Sequence, residues 1–511
     1  MRLKIFATAL FCFVLFVSSA QIDGDNIFND EMVHEVRITF NTDNYWDTLE
    51  YNYSQYLNFG ADKQYMLSYA EIDGQLVDSI GFRQKGFYSN WGAGDSFKKP
   101  FKIDFNEFVP GQRFDGLKKL NLQNGFQDPT MMRDVMSYKF LREQGIKAPR
   151  TSFARVFLND QYWGLYILVE QIDERFLDLH FDDNDGNLFK CINNTNLDWQ
   201  GNSIDQYLDE FELKTNEAEN DWSNFLDFVQ TANLSPENFD ENIAVHFNMQ
   251  EYLKILAADV MMNNWDSYYD HGRNFYLYHD LQSNRIHWIP WDYNLSFSVR
   301  STSVEIDYSD DFIEPKPLVI NVLNSEEYFD EYLNAFCEII NSAFVTDQFE
   351  SDIEIYQNLI SPYLDADTNK FFTFEEFETA LFEDISVEIE FEEFYFEQQH
   401  KGLAPYLNER SEEVLAELES LGFSCSAVSI SEEPKSSLKV WPNPANDQLH
   451  VELPFAPNYF KCIDSLGKEV ILECTPFSES MTFDLSNLTP GVYFILVADK
   501  KEKSSFRFVR K

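Results

Sequence analysis

The sequence predicts an α+β fold with a helical C-terminal part, followed by a small C-terminal β-sandwich. Segments in which apolar and polar residues alternate, as in strands, fill the first half of the chain together with helical segments. Helical spacing dominates from about residue 325 to residue 422. The final part of the chain holds about seven short β-like segments separated by turns, which is typical of a sandwich. Mixed elements first and helices last indicate the α+β class.

The first twenty residues have the features of a secretory signal peptide. Arg2 and Lys4 give a positive start, and an apolar run follows over residues 5–17. Small residues at 18–20 suit a signal peptidase, so we expect the mature chain to begin at Gln21. A membrane anchor is the alternative, but the run is shorter than the roughly 18 apolar residues that a spanning helix needs. We therefore expect an exported protein with no stable membrane span.

Acidic residues are concentrated in the body of the chain. Residues 21–437 hold 28 Lys and Arg against 78 Asp and Glu, a net charge of −50, whereas residues 438–511 hold nine of each kind. Such a surface repels nucleic acid and anionic membranes, so we expect no nucleic-acid partner. It favours divalent cations and basic partners, although a solvated acidic surface is the simpler explanation of the composition.

The mature chain holds five cysteines, so at least one thiol stays unpaired within the chain. Export permits disulfides. No CxxC motif occurs, and a structural zinc site is not expected. Cys462 and Cys474 are candidates for a bridge between neighbouring strands of the C-terminal domain.

The first half of the body holds predicted strands and one clearly delimited helix. From their alternating apolar residues, early strands are predicted at Val36–Phe40, Ser79–Arg83 and Phe101–Phe105. The helix begins at Asp128, a capping residue, has Pro129 at its first position and ends before Gly145.

Two hairpins and a buried helix follow. The predicted hairpin strands are Ser152–Leu158 with Gly164–Gln171, joined by the turn Asn159–Asp160, and Phe275–His279 with Arg285–Ile289. Residues 241–262 have the pattern of a core helix. The acidic segment Glu383–Glu397 is interpreted as an amphipathic element with a solvated face. The polar residues 426–437 are interpreted as a linker.

Carboxylate and amide side chains occur at the ends of the second hairpin. Asp266 follows the predicted buried helix, Asn274 precedes the first hairpin strand, and Asp292 follows the second. Oxygen ligands of this kind suit Mg²⁺ or Mn²⁺, and phosphoryl transfer needs such a metal together with a carboxylate that orients the incoming hydroxyl. Polar residues that only cap the strands would give the same spacing.

Basic residues cluster in an otherwise acidic body. Arg83 and Lys85 lie in FRQKG, Lys98, Lys99 and Lys102 in KKPFKIDF, and Lys118 and Lys119 follow. A triphosphate needs several such cations near one point. The alternative is a solvated strand edge that lysines protect. Neither GxGxxG nor GxxxxGK[ST] is present.

Two further patterns have competing interpretations. Glu170 lies within an otherwise apolar strand and needs a partner, and a pair with Lys190 would either position phosphates or be structural. Residues 365–376 match EF-hand positions 1, 3, 5 and 12, but Lys370 stands where the loop needs Gly. We do not expect calcium there.

Over roughly residues 30–415 the chain resembles the CotH kinase family, which is related to spore-coat kinases. The resemblance rests on an ordered series of blocks: FRQKG, KKPFKIDF, LNLQN, MMRDVMSYKFLREQGI, FLNDQYWGLYILVEQID, GNLFK, NNWDSYYDHGRNFYLYHD and IHWIPWDYN. It implies a reduced, rearranged protein-kinase core. It also implies transfer of the γ-phosphoryl group of ATP to Ser or Thr of exported proteins, with Mg²⁺ or Mn²⁺.

The resemblance also implies roles for individual residues. Asp292 in PWDYN matches the metal-binding aspartate, Asp266 in NWDSY matches the catalytic aspartate, and Asn274 falls where a second metal ligand is expected. The implied cofactor-binding residues are Arg83, Lys99, Lys102, Glu170 and Lys190. Non-catalytic adhesion or a surface-structural role on the same scaffold is the alternative function, and AMPylation is an alternative reaction.

The C-terminal residues VWPNPANDQLHVEL, DSLGKEV, FDLSNLTPGVYFILV and RFVRK resemble the sorting domain of type IX secretion substrates. This resemblance implies the type IX secretion machinery as a partner and a secreted or cell-surface protein that passes through the periplasm. The expected organisation is a signal peptide (1–20), a CotH-like domain (21–425), a linker (426–437) and a sorting domain (438–511).

Overall fold

A computed structural model describes most of the chain. The described residues are 22–309, 314–391, 394–425, 439–441, 445–452, 459–464, 469–470, 472–474, 480–489, 491–498 and 503–511. The chain divides into two compact units, Met1–Cys425 and Ser426–Lys511. The expected signal peptide and the expected linker lie outside the described residues. In the parts that are described, no helix is long and apolar enough to cross a membrane.

Seven strands of the first unit close into a barrel. They are β1 (Val33–Thr39), β2 (Met66–Ile72), β3 (Gln75–Gln84), β4 (Phe101–Asp104), β5 (Lys119–Gln123), β6 (Thr151–Leu158) and β7 (Gln161–Glu170). Their order is β1-β2-β3-β4-β5-β7-β6, and the parallel pair of β1 with β6 closes the ring. Side chains alternate along each strand, so Phe82 is buried in the barrel core and Arg83 faces outward.

A second sheet of the first unit is antiparallel. Its strands are β8 (Asn187–Cys191), β9 (Phe211–Leu213), β10 (Phe275–Asp280) and β11 (Arg285–Pro290). The order is β11-β10-β8-β9, and Lys190 pairs in register with Tyr276. A further hairpin consists of β12 (Ile385–Phe391) and β13 (Phe394–His400).

Helices surround these sheets. They are α1 (Tyr45–Phe59), α2 (Tyr88–Trp91), α3 (Arg133–Glu143), α4 (Glu174–His180), α5 (Ser223–Ala232), α6 (Pro236–His246), α7 (Met249–Met261), α8 (Tyr268–His271), α9 (Pro317–Asn324), α10 (Glu326–Ile340), α11 (Phe349–Asp365), α12 (Phe374–Phe382) and α13 (Tyr406–Ser420). The largest hydrophobic cluster joins α3, α7, α10, α11 and α13 to the outer face of β7 and to β8 and β10. The unit is therefore α+β, with its last part mainly helical.

Local sequence signals explain several boundaries. The turn between β6 and β7 places Asn159 and Asp160 at φ 46° and 65°, as a tight hairpin requires. Gly145 adopts φ 77° just after α3, where a left-handed residue ends the helix. Both features were predicted.

Other boundaries differ from the prediction. Asp128 is not the N-cap residue, because α3 begins only at Arg133, after Met132. The Asp128 carboxylate accepts from the N–H of Thr130 in the preceding turn and from the N–H of Arg133, the first helical residue. The predicted helix 241–262 is two helices, because the chain is extended at Phe247 and Asn248 caps α7. The acidic segment 383–397 lies mostly in the β12–β13 hairpin, since its period is two.

Among the described residues of the first unit, one disulfide is present. It joins Cys337 on α10 to Cys425, with a sequence separation of 88. The expectation that Cys462 and Cys474 lie on neighbouring strands is wrong, because Cys462 lies on a strand of one C-terminal sheet and Cys474 on a strand of the other.

The second unit contains two four-stranded sheets. Its strands are β14 (Lys439–Trp441), β15 (Gln448–Glu452), β16 (Tyr459–Asp464), β17 (Glu469–Val470), β18 (Glu473–Cys474), β19 (Ser480–Asp484), β20 (Gly491–Ala498) and β21 (Lys503–Arg510). The sheets have the orders β14-β15-β19-β18 and β17-β16-β20-β21. Val451 and Phe483 from the first sheet and Ile495 and Phe508 from the second belong to one hydrophobic core.

Candidate active site

A large cavity lies between the outer face of the barrel and the second sheet. Its volume is about 1480 Å³, more than the roughly 300–1,000 Å³ of an ordinary ligand pocket. Of the predicted site residues, its lining includes Arg83, Lys102, Lys190, Asp266, Asn274 and Asp292. Barrel strands and the second sheet therefore bring together residues that are up to 209 positions apart in the sequence.

Asp292 lies in a turn directly after β11. Its φ of 63° is left-handed, which is uncommon for a residue other than glycine. Its N–H donates to the hydroxyl of Tyr138 at 2.8 Å, and the N–H of Tyr293 donates to Asp134 Oδ1 at 3.1 Å. Because both acceptors belong to α3, this helix holds the turn and the Asp292 carboxylate at the cavity wall.

Asp134 is a second carboxylate of this region. It is buried in the first turn of α3 and lines the same cavity. Burial raises the pKa of Asp134 well above its usual range, and the charge of Asp292 raises it further. Burial also raises the pKa of Asp292, although Lys85 and Lys190 oppose the shift. Two carboxylates in this situation both ionise readily only when a cation joins them.

Asp266 lies between α7 and α8 and is only 7 % exposed. Its Oδ1 accepts from Nε of Arg273 at 2.7 Å and also from Nη2 of the same guanidinium. Burial raises the pKa of Asp266 to about 6, although Arg273 opposes the shift. A carboxylate with this pKa is mostly ionised at neutral pH and is able to take up a proton.

The orientation of Asn274 follows from its contacts with Asp266. The amide nitrogen donates to the backbone oxygen and to Oδ2 of Asp266, both at 2.9 Å. Since the nitrogen is engaged on this side, the amide oxygen is left to accept from another donor or to bind a cation. Within the described part of the chain, no three His, Cys, Asp or Glu side chains form a metal site. A cation here would take its remaining ligands from substrate and water, as Mg²⁺ usually does.

Cationic side chains also line the cavity. They include Arg83, Lys85, Lys102, Lys119 and Lys190. Arg83 and Lys102 are register partners on β3 and β4, which places the two side chains next to each other. Burial lowers the pKa of Lys102 well below its usual value, and the charges of Arg83 and Lys85 lower it further. The Nε of Arg83 is buried without a hydrogen-bond partner in the described structure.

Lys85 is the lysine that faces Asp292. Its Nζ donates to Gln123 at 3.0 Å and lies 5.7 Å from the centre of the Trp291 ring. Burial lowers the pKa of Lys85 to about 8, while Asp292 opposes the shift. The cationic and carboxylate parts of the cavity therefore meet at this residue.

Two predicted residues lie outside the cavity lining. Lys99 donates from Nζ to the backbone oxygens of Asn90 and Gly94, at 3.0 and 2.6 Å, and so holds a surface loop. Glu170 accepts from Nε of Arg150 at 3.1 Å and from the backbone N–H of Arg150 at 3.0 Å. The expected pair of Glu170 with Lys190 is therefore wrong, because Arg150 is the partner.

The EF-hand-like loop also has internal partners. Asp367 is buried and accepts from the Lys98 ammonium and from the N–H of Leu165 at 3.0 Å. Lys370 donates to the backbone oxygen of Asp367 at 2.8 Å. Protein ammonium groups thus bind oxygens of this loop.

Several residues of the cavity are not among the predicted site residues. Lys85 and Lys119 belong to the basic cluster seen in the sequence but are not predicted contacts, and Asp134 and Arg273 carry no sequence-based prediction. The available signals were an acidic residue within the apolar helix MMRDVMSY and an arginine directly before Asn274. Neither signal indicates the cavity without knowledge of how the elements pack.

Comparisons with known proteins identify the families that the two units resemble. Residues 82–414 match the family model described as CotH kinase protein, and residues 439–511 match the secretion system C-terminal sorting domain. The sorting domain indicates that the protein is secreted or at the cell surface.

Three curated relatives are similar to parts of the chain. Inner spore coat protein H of Bacillus subtilis (strain 168) is 26 % identical over 286 residues, which cover 54 % of this chain and 76 % of that protein. Two proteins of Rhizopus delemar, Spore coat protein homolog 1 and Invasin CotH2, are 22 % and 21 % identical. The matches cover 42 % and 51 % of this chain, but only 38 % and 48 % of those two proteins. Because the family model covers well over half of the 511 residues, the chain belongs to the CotH kinase family.

Proposed function

We propose that this chain is a secreted atypical protein kinase that transfers the γ-phosphoryl group of ATP to Ser or Thr of exported proteins, with Mg²⁺ or Mn²⁺. The observation that carries the proposal is the cavity itself, whose lining includes several cationic side chains together with the carboxylates of Asp134, Asp266 and Asp292. In a region of net charge −50, cations that repel one another are collected at one point. A polyanion such as a triphosphate relieves that repulsion.

The carboxylate part of the cavity suits a divalent cation. Asp292 and Asp134 would supply carboxylate oxygens, and Asn274 would supply its amide oxygen. When bound, the cation neutralises charge on the phosphates and fixes their position. The residues present fit this role, because they are hard oxygen donors and leave room for water and phosphate.

Asp266 is the proposed proton acceptor. The hydroxyl oxygen of the acceptor residue attacks the γ-phosphorus, the bond from this phosphorus to the β–γ bridging oxygen breaks, and ADP leaves. The proton of the hydroxyl passes to Asp266 Oδ2, which has one hydrogen-bonding position open beside Asn274. Arg83, Lys85, Lys102 and Lys190 would hold the phosphates during the transfer.

The acidic surface of the first unit supports a basic acceptor protein, through electrostatic complementarity. The proposed organisation keeps the predicted limits, with catalysis in residues 21–425 and recognition by the type IX secretion machinery in residues 438–511. The excess cavity volume would admit the acceptor side chain beside the nucleotide.

Incubation of the mature chain with γ-labelled ATP, Mn²⁺ and a basic Ser-rich peptide tests the proposal. We expect label in the peptide, and we expect Asp292→Ala and Asp266→Ala each to abolish it. Lys254→Met is a matched control, since this lysine pairs with Glu338 at 2.9 Å and neither residue lines the cavity. A chain that binds MnATP and transfers no label from either position would contradict the proposal.

Two other functions are outcomes of the same assay. Label transferred from the α position instead of the γ position would indicate AMPylation. The name of one relative, Invasin CotH2, favours a binding function as the second candidate. Absence of nucleotide binding, measured by calorimetry, would support the binding function and contradict the proposed kinase activity.

A further inference from the structure

Arg273 lies between the proposed proton acceptor and a surface loop. Its Nε donates to Asp266 Oδ1 at 2.7 Å, and its Nη2 donates to the same oxygen. The centre of its guanidinium lies 5.2 Å from the centre of the Tyr88 ring, within the range of a cation–π contact. One side chain therefore contacts both the cavity carboxylate and the loop.

The loop that carries Tyr88 covers one side of the cavity. We call residues 86–97 the cover loop; it contains the short helix α2 and has left-handed glycines at 86 and 94. Hydrogen bonds fix the backbone of this loop. Lys99 donates to two of its carbonyl oxygens, and the side-chain amide of Asn124 donates to the carbonyl oxygen of Ser89 at 3.0 Å. Tyr88 lines the cavity and is also 57 % exposed to solvent.

The hydrogen bonds of Asp266 explain why Arg273 matters. A carboxylate oxygen accepts about two hydrogen bonds. Arg273 fills both positions on Oδ1, and Asn274 fills one position on Oδ2. The remaining position on Oδ2 is the one available to a hydroxyl. Arg273 thus decides which oxygen of Asp266 is free and in which direction it points.

We infer that Arg273 is a positioning residue through which the cover loop controls Asp266. The ring of Tyr88 restricts the guanidinium, and the guanidinium restricts the carboxylate. Asp266 is then correctly oriented only while the cover loop lies over the cavity, where it also shields the phosphates from water. The inference rests on the proposed function of Asp266 and adds a regulatory connection to it.

A double-mutant cycle tests the connection in the mature chain with MnATP and the basic peptide. We expect Arg273→Ala to lower kcat by roughly 100-fold with little change in the KM for ATP, because a misplaced general base loses most of its effect. Tyr88→Ala should lower kcat by about tenfold, and in the Arg273→Ala background it should lower kcat no further. Arg273→Lys should restore part of the rate, since the ammonium still bonds Asp266.

Other kinetic outcomes overturn the inference. If the two substitutions lower kcat by independent factors that multiply, Tyr88 does not act through Arg273. If Arg273→Ala changes the KM for ATP and leaves kcat unchanged, the residue binds nucleotide and does not position Asp266. A wild-type chain without phosphoryl transfer overturns the proposed function and the catalytic part of this inference together.

Hydrogen exchange tests the physical contact without turnover. In the nucleotide-free chain, we expect Arg273→Ala and Asp266→Asn to accelerate exchange of the amides in residues 87–94 about threefold or more, because the loop loses its contact with the cavity. Tyr51→Ala is the control, since Tyr51 is a 62 % exposed tyrosine of α1 outside the lining. Unchanged exchange in Arg273→Ala would show that the guanidinium does not hold the loop, and would overturn the inference even with an active enzyme.

Discussion

The N–H of Asp292 donates a hydrogen bond of 2.8 Å to the buried hydroxyl of Tyr138, and this bond attaches the cavity turn to helix α3. We expect Tyr138→Phe to leave the N–H without its acceptor and to lower the free energy of unfolding by about 1–3 kcal/mol. Mn²⁺ should also bind more weakly, because the left-handed turn at Asp292 loses its support. Thermal unfolding with and without Mn²⁺ measures both effects.

Tyr166→Phe is the matched control for that experiment. The Tyr166 hydroxyl is also buried, but it donates to the backbone oxygen of Lys99 at 3.0 Å, and Tyr166 does not line the cavity. We expect a similar loss of stability and an unchanged gain from Mn²⁺. An equal loss of the Mn²⁺ effect in both variants would contradict the role given to Tyr138.

The stabilisation by Mn²⁺ should grow with pH. The folded chain raises the pKa of Asp134 and Asp292, so their contribution to stability is complete below the ordinary carboxyl pKa and is lost as pH rises through the raised values. Mn²⁺ binds only the deprotonated carboxylates. The increase in the melting temperature of the protein on adding Mn²⁺ should therefore be small at about pH 5 and larger at about pH 7.5. Asp134→Asn should flatten this dependence. Equal gains at both pH values in the wild type would argue against a cation between these carboxylates.

Lys102 should be unfavourable for stability and favourable for nucleotide binding. Burial and neighbouring cations lower its pKa well below the usual value, so its charge costs free energy in the empty cavity. We expect Lys102→Met to raise the free energy of unfolding by roughly 1 kcal/mol and to weaken ATP binding by about tenfold. Calorimetry measures the affinity for ATP and chemical unfolding measures the free energy of unfolding, with Lys254→Met as the control for both. If Lys102→Met binds ATP with normal affinity, Lys102 does not contact the phosphates.

Glu170 should support the fold and not the nucleotide. It is buried and paired with Arg150. Breaking a buried ion pair from one side leaves the other charge unpaired, so Glu170→Ala should lower the free energy of unfolding by about 3–5 kcal/mol. The KM for ATP of the folded fraction should stay unchanged. If Glu170→Ala has normal stability and a much higher KM for ATP, Glu170 contributes to nucleotide binding after all.

The Cys337–Cys425 disulfide should stabilise the first unit. The two cysteines are 88 positions apart, and closing a loop of this size restricts the unfolded chain. Replacing both by Ser should lower the free energy of unfolding by about 2–5 kcal/mol. Thermal unfolding of the double variant, compared with the wild type before and after reduction, measures the effect. If reduction shifts the melting temperature of the double variant as much as that of the wild type, the effect does not come from this bridge.

Much of the local structure was predictable from the sequence. The turn Asn159–Asp160 and the helix end at Gly145 depend on residues that tolerate left-handed backbone, and such preferences act within a few positions. The prediction of one helix over residues 241–262 was wrong, because the extended residue Phe247 interrupts the helix although the apolar pattern of the sequence continues. The hairpin at 385–400 was missed because acidic and aromatic residues also suit an amphipathic element.

The sequence by itself determined the class of fold, the acidic body, the sorting domain and the family blocks that carry Asp266 and Asp292. Only the tertiary structure decided that Lys85 and Asp134 face the cavity while Lys99 and Glu170 do not. The physical reason is that a side chain's partners are set by the packing of distant strands and helices. Alternation along one strand shows which residues share a face, but not what lies opposite that face.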